Sequence, residues 1–180
     1  MTQVLEAFWF LVAPGAANLV PPIAAKLWPR WNQPVDGGRE LFGKRLFGAH
    51  KTIRGFVTGT VSAAAAFQVQ LALESEVEAL RRLSLLDPEW RVWWFGALLG
   101  LSALVGDLLK SFFKRQLGRA PGRPWIPFDQ IDWILGALAF LSLFQSVKAE
   151  FGVVAILMGL ALSLLFKVLG YFLKVNSEYI

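Results

Sequence analysis

The chain has 180 residues, of which 56% are hydrophobic, 14% aromatic and only 17% charged, with no cysteine and a formal net charge of +5. A soluble domain of this size carries more charge and a disordered chain far less apolar surface, so both classes are excluded. The missing cysteines exclude a disulfide framework, a thiolate zinc site and Cys nucleophile chemistry, and the clustering of apolar residues indicates a chain whose solvent is partly lipid.

A hydrocarbon layer about 30 Å thick needs roughly 20 apolar residues in a helix. Five stretches meet this requirement: residues 4–27, 53–73, 92–109, 131–147 and 151–173. The first has no basic residue before Lys26, lacks the positive start of a cleaved signal peptide and reads as a retained helix. Within it Asn18 stands between Pro14 and Pro21-Pro22, where it is either a cavity residue or an interhelical hydrogen-bonding group. The first loop carries Arg30, Arg39, Lys44, Arg45, Lys51 and Arg54 against Asp36 and Glu40. The second is rich in Glu, and the third again basic, with Lys110, Lys114, Arg115, Arg119 and Arg123. The fourth and fifth spans are separated only by Lys148, Ala149 and Glu150, as in a tight helical hairpin.

The excess of Lys and Arg places the first and third loops in the cytoplasm, the N-terminus outside and the C-terminus inside, in agreement with Lys167 and Lys174. Trp28, Trp31, Trp90, Trp93, Trp94, Trp125 and Trp133 fall near span ends, where amphipathic rings suit the headgroup layer. The expected fold is one all-α domain over residues 1–180, an integral membrane bundle of five transmembrane helices with two basic cytoplasmic loops. Such a protein resides in the cytoplasmic (inner) membrane, and nothing in the pattern calls for a nucleic-acid partner.

Several polar residues lie where lipid tolerates them poorly. Asp107 sits near the end of the third span, and a carboxylate in a bilayer takes a partner or a wet cavity. If that helix continues, Lys110, Ser111 and Lys114 share its face, and Asp107 and Lys114 stand about 10 Å apart, enough for a metal-bound triphosphate. The simpler alternative is an intrahelical ion pair at i, i+3. Asp129 and Asp132 open the fourth span three residues apart and can approach one divalent cation, although acids in a first helical turn also complement the helix dipole. The first loop joins Asp36, Gly37 and Gly38 to His50, Lys51 and Thr52, just before the second span. Glycines let backbone approach a ligand, and a helix N-terminus receives anions. Lys51, Arg54 and Thr58 share a face, and Gly55 with Gly59 suits close helix packing within or between chains. There is no P-loop pattern.

Four motifs recur in order: Pro34-Val35-Asp36-x-Gly38; Phe42-Gly43-x-Arg45-x-Phe47-Gly48-x-His50-Lys51-Thr52-x-Arg54-Gly55; Gly106-Asp107-x-x-x-Ser111-Phe112-x-Lys114-Arg115; and Pro127-x-Asp129-Gln130-x-Asp132. Together they resemble the CDP-archaeol synthase family of integral-membrane cytidylyltransferases, related to the bacterial CDP-diacylglycerol synthases. The resemblance implies transfer of CMP from CTP to a membrane lipid phosphate, expected to be a bis-geranylgeranyl glycerol phosphate, with release of pyrophosphate and a requirement for Mg²⁺. It implies catalytic roles for Asp107, Lys114 and Asp132, and metal ligation by Asp107, Asp129 and Asp132. Nucleotide binding is expected from Asp36, Gly38, Lys51, Thr52, Arg54, Ser111, Lys114 and Arg115, with Asn18 in the cavity. The last span departs from the family, which tends to carry a His and an Asn near its end, whereas this chain has Phe166-Lys167-Val168-Leu169-Gly170-Tyr171-Phe172-Leu173-Lys174. The alternatives are the same chemistry on phosphatidic acid or another bacterial lipid phosphate, or a small non-enzymatic transporter or channel subunit.

Overall fold

A computed structural model of the chain describes residues 2–120 and 123–172. Six α-helices run in order: α1 (Thr2–Leu27), α2 (Ile53–Glu76), the single turn α3 (Glu78–Arg81), α4 (Trp93–Gln116), α5 (Phe128–Leu141) and α6 (Ala149–Phe172). A two-residue hairpin, β1 (Glu40–Leu41) with β2 (Lys44–Arg45), interrupts the first loop. Among the described residues four helices are long and apolar enough to cross a membrane: α1, α2, α4 and α6 over Ala149–Phe166. The protein is therefore an all-α, multi-pass membrane protein.

The fourth expected span differs. Residues 131–147 form no membrane-length helix; α5 begins at Phe128 and ends at Leu141, giving about 21 Å at 1.5 Å per residue. The chain turns at 142–145 because Gln145 is tied to the facing loop, donating to Leu85 O at 2.7 Å and accepting from Asp87 N at 3.2 Å. The third span, by contrast, does continue beyond Leu109, to Gln116, which carries its charged face out of the apolar region. Lys174 lies outside the described residues.

Helix α1 packs chiefly on α2, α4 fills the space between α2 and α5, and α6 closes against α1 and α5. Lipid is as apolar as leucine, so such packing relies on close fit more than on escape from water. At the end away from the two basic loops, Phe95 is fully buried among rings, its centroid 5.5 Å from Phe140, 5.4 Å from Phe144 and 6.2 Å from Trp90. Trp133, expected at an interface, is instead 2% exposed in this core, where Nε1 donates to Ser163 Oγ at 3.1 Å. Trp28 and Trp93 do remain exposed.

The closest helix contacts run through glycine. A Cβ on Gly59 would fall 2.7 Å from Ala17 O, so the Gly55/Gly59 face is used inside the chain, against α1. Between α4 and α5, a Cβ on Gly106 would lie 2.3 Å from Asp132 O, and one on Gly136 would lie 2.3 Å from Ser102 O. No rotamer relieves a clash with backbone, so a side chain here must separate the helices. Gly136→Ala is expected to destabilise the protein by about 1–3 kcal/mol, read as an earlier transition in thermal unfolding followed by tryptophan fluorescence. Gly152→Ala, where a Cβ meets nothing within 4 Å, serves as the control and should leave the transition in place.

Candidate active site

Both basic loops fold over the ends of α1, α2 and α4. The first loop is organised by Asp36, whose side chain is fully enclosed. Its Oδ1 accepts from Gly38 N at 2.9 Å and Arg45 Nη2 at 2.7 Å, and its Oδ2 accepts from Phe47 N and Gly48 N at 3.1 Å each. Burial alone pushes this carboxyl up, but the three amides and the guanidinium outweigh it and hold it at about 2, against an ordinary 3.8. Gly38, at φ +82°, completes the turn. Expected as nucleotide contacts, Asp36 and Gly38 are thus committed to loop structure, since both carboxylate oxygens are already occupied.

Two more expected nucleotide ligands serve the backbone as well. Thr52 is the N-cap of α2, its Oγ1 accepting from Gly55 N at 3.2 Å. Arg54, 7% exposed, donates from Nη1 to Trp28 O at 2.6 Å and so ties α2 to the end of α1. A helix C-terminus has free carbonyls that suit such a cation. The hairpin is fixed to α4 in the same manner, Lys44 Nζ donating to Gln116 O at 2.6 Å.

The remaining candidates converge. Lys51, in the loop just before α2, pairs with Asp107 Oδ2 on α4. Lys114, 8% exposed, stands 3.1 Å from both oxygens of Asp129 and donates to Arg123 O at 2.6 Å. Asp129 also holds the segment before its helix, accepting from Trp125 N at 2.5 Å. Lys110 lies at the centre: Nζ is 3.0 Å from Asp107 Oδ1, 3.1 Å from Asp129 Oδ1 and 2.7 Å from Asp132 Oδ2. The i, i+3 pair foreseen as the simpler reading of Asp107 is therefore real, and it is one corner of a larger cluster. Sequence reasoning placed Lys110 only beside Asp107, because its partners on α5 are distant along the chain.

Two cavities meet here. One of about 150 Å³ is lined by Phe47, Gly48, Lys110, Ser111, Lys114 and Arg115. The other, about 370 Å³, lies between α1, α2 and α4, with Asn18, Pro21, Pro22, Phe56 and Leu104 on its walls. His50 and Lys51 border both. Asn18 is thus a cavity residue, as anticipated, and Ser111 and Arg115 face the smaller, basic space.

The expected metal ligands Asp107, Asp129 and Asp132 do surround one cation position, but an ammonium holds it. Among the described residues no group of three or more His, Asp or Glu side chains is arranged for a metal ion. Their chemistry nevertheless fits one: all are hard carboxylate oxygens. Asp132 is 7% exposed, and its buried Oδ2 is paired with Lys110 Nζ at 2.7 Å.

The CarS-like family model, CDP-archaeol synthase, matches residues 1–179. The chain is 32% identical to the CDP-archaeol synthase of Pyrobaculum arsenaticum over 97% of its own length and 98% of the relative's. It is 36% identical to that of Pyrobaculum calidifontis, covering 82% and 80%. A solved structure described as "structural insight into an intramembrane enzyme for archaeal membrane lipids biosynthesis" superposes with a TM-score of 0.74 at 34% identity, covering 92% of this chain and 94% of the other.

The Asp36 carboxyl gives the first loop a defined acid limit. Its folded pKa lies below its unfolded value, so its contribution is complete above about pH 4 and is lost as the pH falls towards 2. The shift corresponds to roughly 2 kcal/mol. Protection of the Phe47 and Gly48 amides, relative to the intrinsic exchange rate at each pH, should fall in this interval, and in Asp36→Asn it should be low already at neutral pH. Slow exchange in that variant would refute the organising role.

Proposed function

The chain belongs to the CDP-archaeol synthase family, and on that premise we propose how its site carries out the reaction. It is a membrane cytidylyltransferase that uses CTP and makes CDP-archaeol, a CDP-lipid of phospholipid biosynthesis. The observation that carries the site assignment is the juxtaposition of the basic cavity, lined by Lys51, Lys110, Lys114 and Arg115, with three acids on α4 and α5.

In the proposed reaction an oxygen of the lipid phosphate attacks the α-phosphorus of CTP. One phosphorus–oxygen bond forms, the α–β bridge breaks, and pyrophosphate leaves. The protein has little proton transfer to perform, so catalysis is positioning and charge stabilisation. Lys51, Lys114 and Arg115, with Ser111, hold the triphosphate in the smaller cavity. The larger cavity, apolar on its Pro21, Pro22, Phe56 and Leu104 walls, receives the acceptor at the membrane boundary, with Asn18 at its side. Arg54 and Thr52 act through α2, by fixing its start against α1.

Metal ion cofactors are typical of cytidylyltransferases, and we propose Mg²⁺ here, held by Asp107, Asp129 and Asp132. When bound it supplies positive charge against the reacting and departing phosphate oxygens. The acceptor is proposed to be the unsaturated archaeal ether lipid phosphate, and the site is proposed to face the cytoplasm, where CTP is available.

Label from α-labelled CTP is expected to enter chloroform-extractable product with bis-geranylgeranyl glycerol phosphate as acceptor, and less well with phosphatidic acid. Asp107→Asn and Lys114→Ala should each lower the rate at least ~100-fold, as loss of charge stabilisation does. Undiminished turnover in both variants would refute the site assignment, and a preference for phosphatidic acid would refute the proposed acceptor.

A further inference from the structure

Lys110 is fully engaged within the protein. Its ammonium faces Asp107, Asp129 and Asp132, while Asp107 also meets Lys51 and Asp129 also meets Lys114. Three carboxylates face three ammonium groups, so the cluster is formally neutral with nothing bound. A divalent cation entering alone would have to drive Lys110 off the acids into a space already bordered by Lys51, Lys114 and Arg115. A triphosphate entering alone would draw the lysines away and leave buried carboxylates without counter-charge, which is strongly unfavourable. Each ligand by itself breaks pairs that it cannot replace.

The geometry allows both to enter together. Lys110, Lys51 and Lys114 all border the 150 Å³ cavity, so each can turn from carboxylate to phosphate without leaving the site. Lysine suits this exchange because its point charge sits on a flexible four-carbon stem. On the acid side, Asp132 Oδ2 is buried and is paired with Lys110 Nζ at 2.7 Å, so a cation that took the place of that ammonium would restore the counter-charge it removed.

Building on the cytidylyltransferase reading, we propose that Lys110 is a resident cation that Mg²⁺ displaces, and that the site exchanges partners on loading. The acids pass from Lys110 to the metal, and Lys110 passes with Lys51 and Lys114 to the triphosphate. Metal and nucleotide then strengthen each other's binding by the same factor, as linkage demands. Lys110 is the positioning residue that makes metal weak alone, and the acids it neutralises make nucleotide weak alone.

The test uses the full chain in detergent micelles without lipid acceptor, so that no turnover occurs. Mn²⁺ without nucleotide is titrated by the loss of its free electron-paramagnetic signal, and labelled CTP is followed by equilibrium dialysis in EDTA or in excess Mg²⁺. Lys110→Met should bind Mn²⁺ about tenfold tighter than the wild type, within the usual range of such couplings, and should bind CTP in EDTA more weakly. Lys110→Arg, which keeps the charge, should bind Mn²⁺ as weakly as the wild type. Unchanged or weaker Mn²⁺ binding by Lys110→Met overturns the proposal. So does a wild-type CTP affinity that is equal in EDTA and in Mg²⁺, a result that needs no variant to fold. Tighter Mn²⁺ binding by Lys110→Met, in a protein that binds no CTP under either condition, would support displacement of Lys110 and refute the cytidylyltransferase reading instead. Unaltered Mn²⁺ binding by Lys110→Met, in a protein that still binds CTP in Mg²⁺, would overturn only the exchange.

Discussion

The contact between α4 and α5 at Gly106 and Gly136 is the constraint on which the site depends. Backbone meets backbone there, so the register of the two helices is set by steric exclusion rather than by side-chain choice. One residue beyond Gly106 stands Asp107, and about one turn further stands Lys110, while Asp132 supplies the carbonyl that Gly106 approaches. Moving α5 by one residue would turn Asp129 and Asp132 away from Lys110. Removing one partner from such a buried pair typically costs 3–5 kcal/mol, so helix packing and charge pairing reinforce one another. Neither would be stable alone: the acids need the lysine, and the lysine reaches them only because the helices touch.

At the far end of the bundle a smaller polar cluster fixes the other helices. Glu74, 6% exposed, accepts from Trp9 Nε1 at 2.6 Å and lies 3.6 Å from Arg91, while Gln70 donates to Trp9 O at 2.7 Å. These contacts join α1, α2 and the segment leading into α4. Gln145 joins the same segment to the turn after α5. Polar contacts of this kind are specific where apolar packing in lipid is not, and they hold α1 so that Asn18, Pro21 and Pro22 remain on the cavity wall. Because α1, α2 and α4 are clamped at both ends, Asp107, Lys110, Lys114 and Arg115 stand on a rigid helix, and the loops supply Lys51 and the backbone structure around them.

Much of the fold was legible because lipid imposes a length rule. Four apolar stretches became four membrane-length helices, and α4 extended to Gln116 along the charged face that Asp107, Lys110 and Lys114 had outlined. The same rule failed at 131–147, because hydropathy does not register that Gln145 bonds to a distant loop and ends the helix early. Trp133 was misplaced for a related reason: a tryptophan near a span end suits an interface, but its partner Ser163 is thirty residues away and inside the bundle. In the site, residue type identified the segments that come together. Asp36, Thr52 and Arg54 look like ligands in a glycine-rich basic loop, yet a loop that must hold a fixed shape needs caps and internal acceptors of those same types. Lys110 shows the converse. Its i, i+3 relation to Asp107 is visible in the sequence, whereas its proximity to Asp129 and Asp132 depends on how α4 meets α5.

The position of Lys51 connects these arrangements to catalysis. It borders both cavities and pairs with Asp107, the acid nearest their junction. In the proposed reaction the nucleotide occupies one cavity and the lipid phosphate the other, so the attacking oxygen and the α-phosphorus must meet at this boundary. A cation fixed there lowers the repulsion between two polyanions at the point where it is greatest, and its reach across both spaces lets it follow charge as the bond forms. The carboxylate of Asp107 keeps that cation in place before the substrates arrive. In that proposal the acid has two functions in succession: it restrains Lys51 before substrates bind, and it is available to metal once phosphate has taken the lysine.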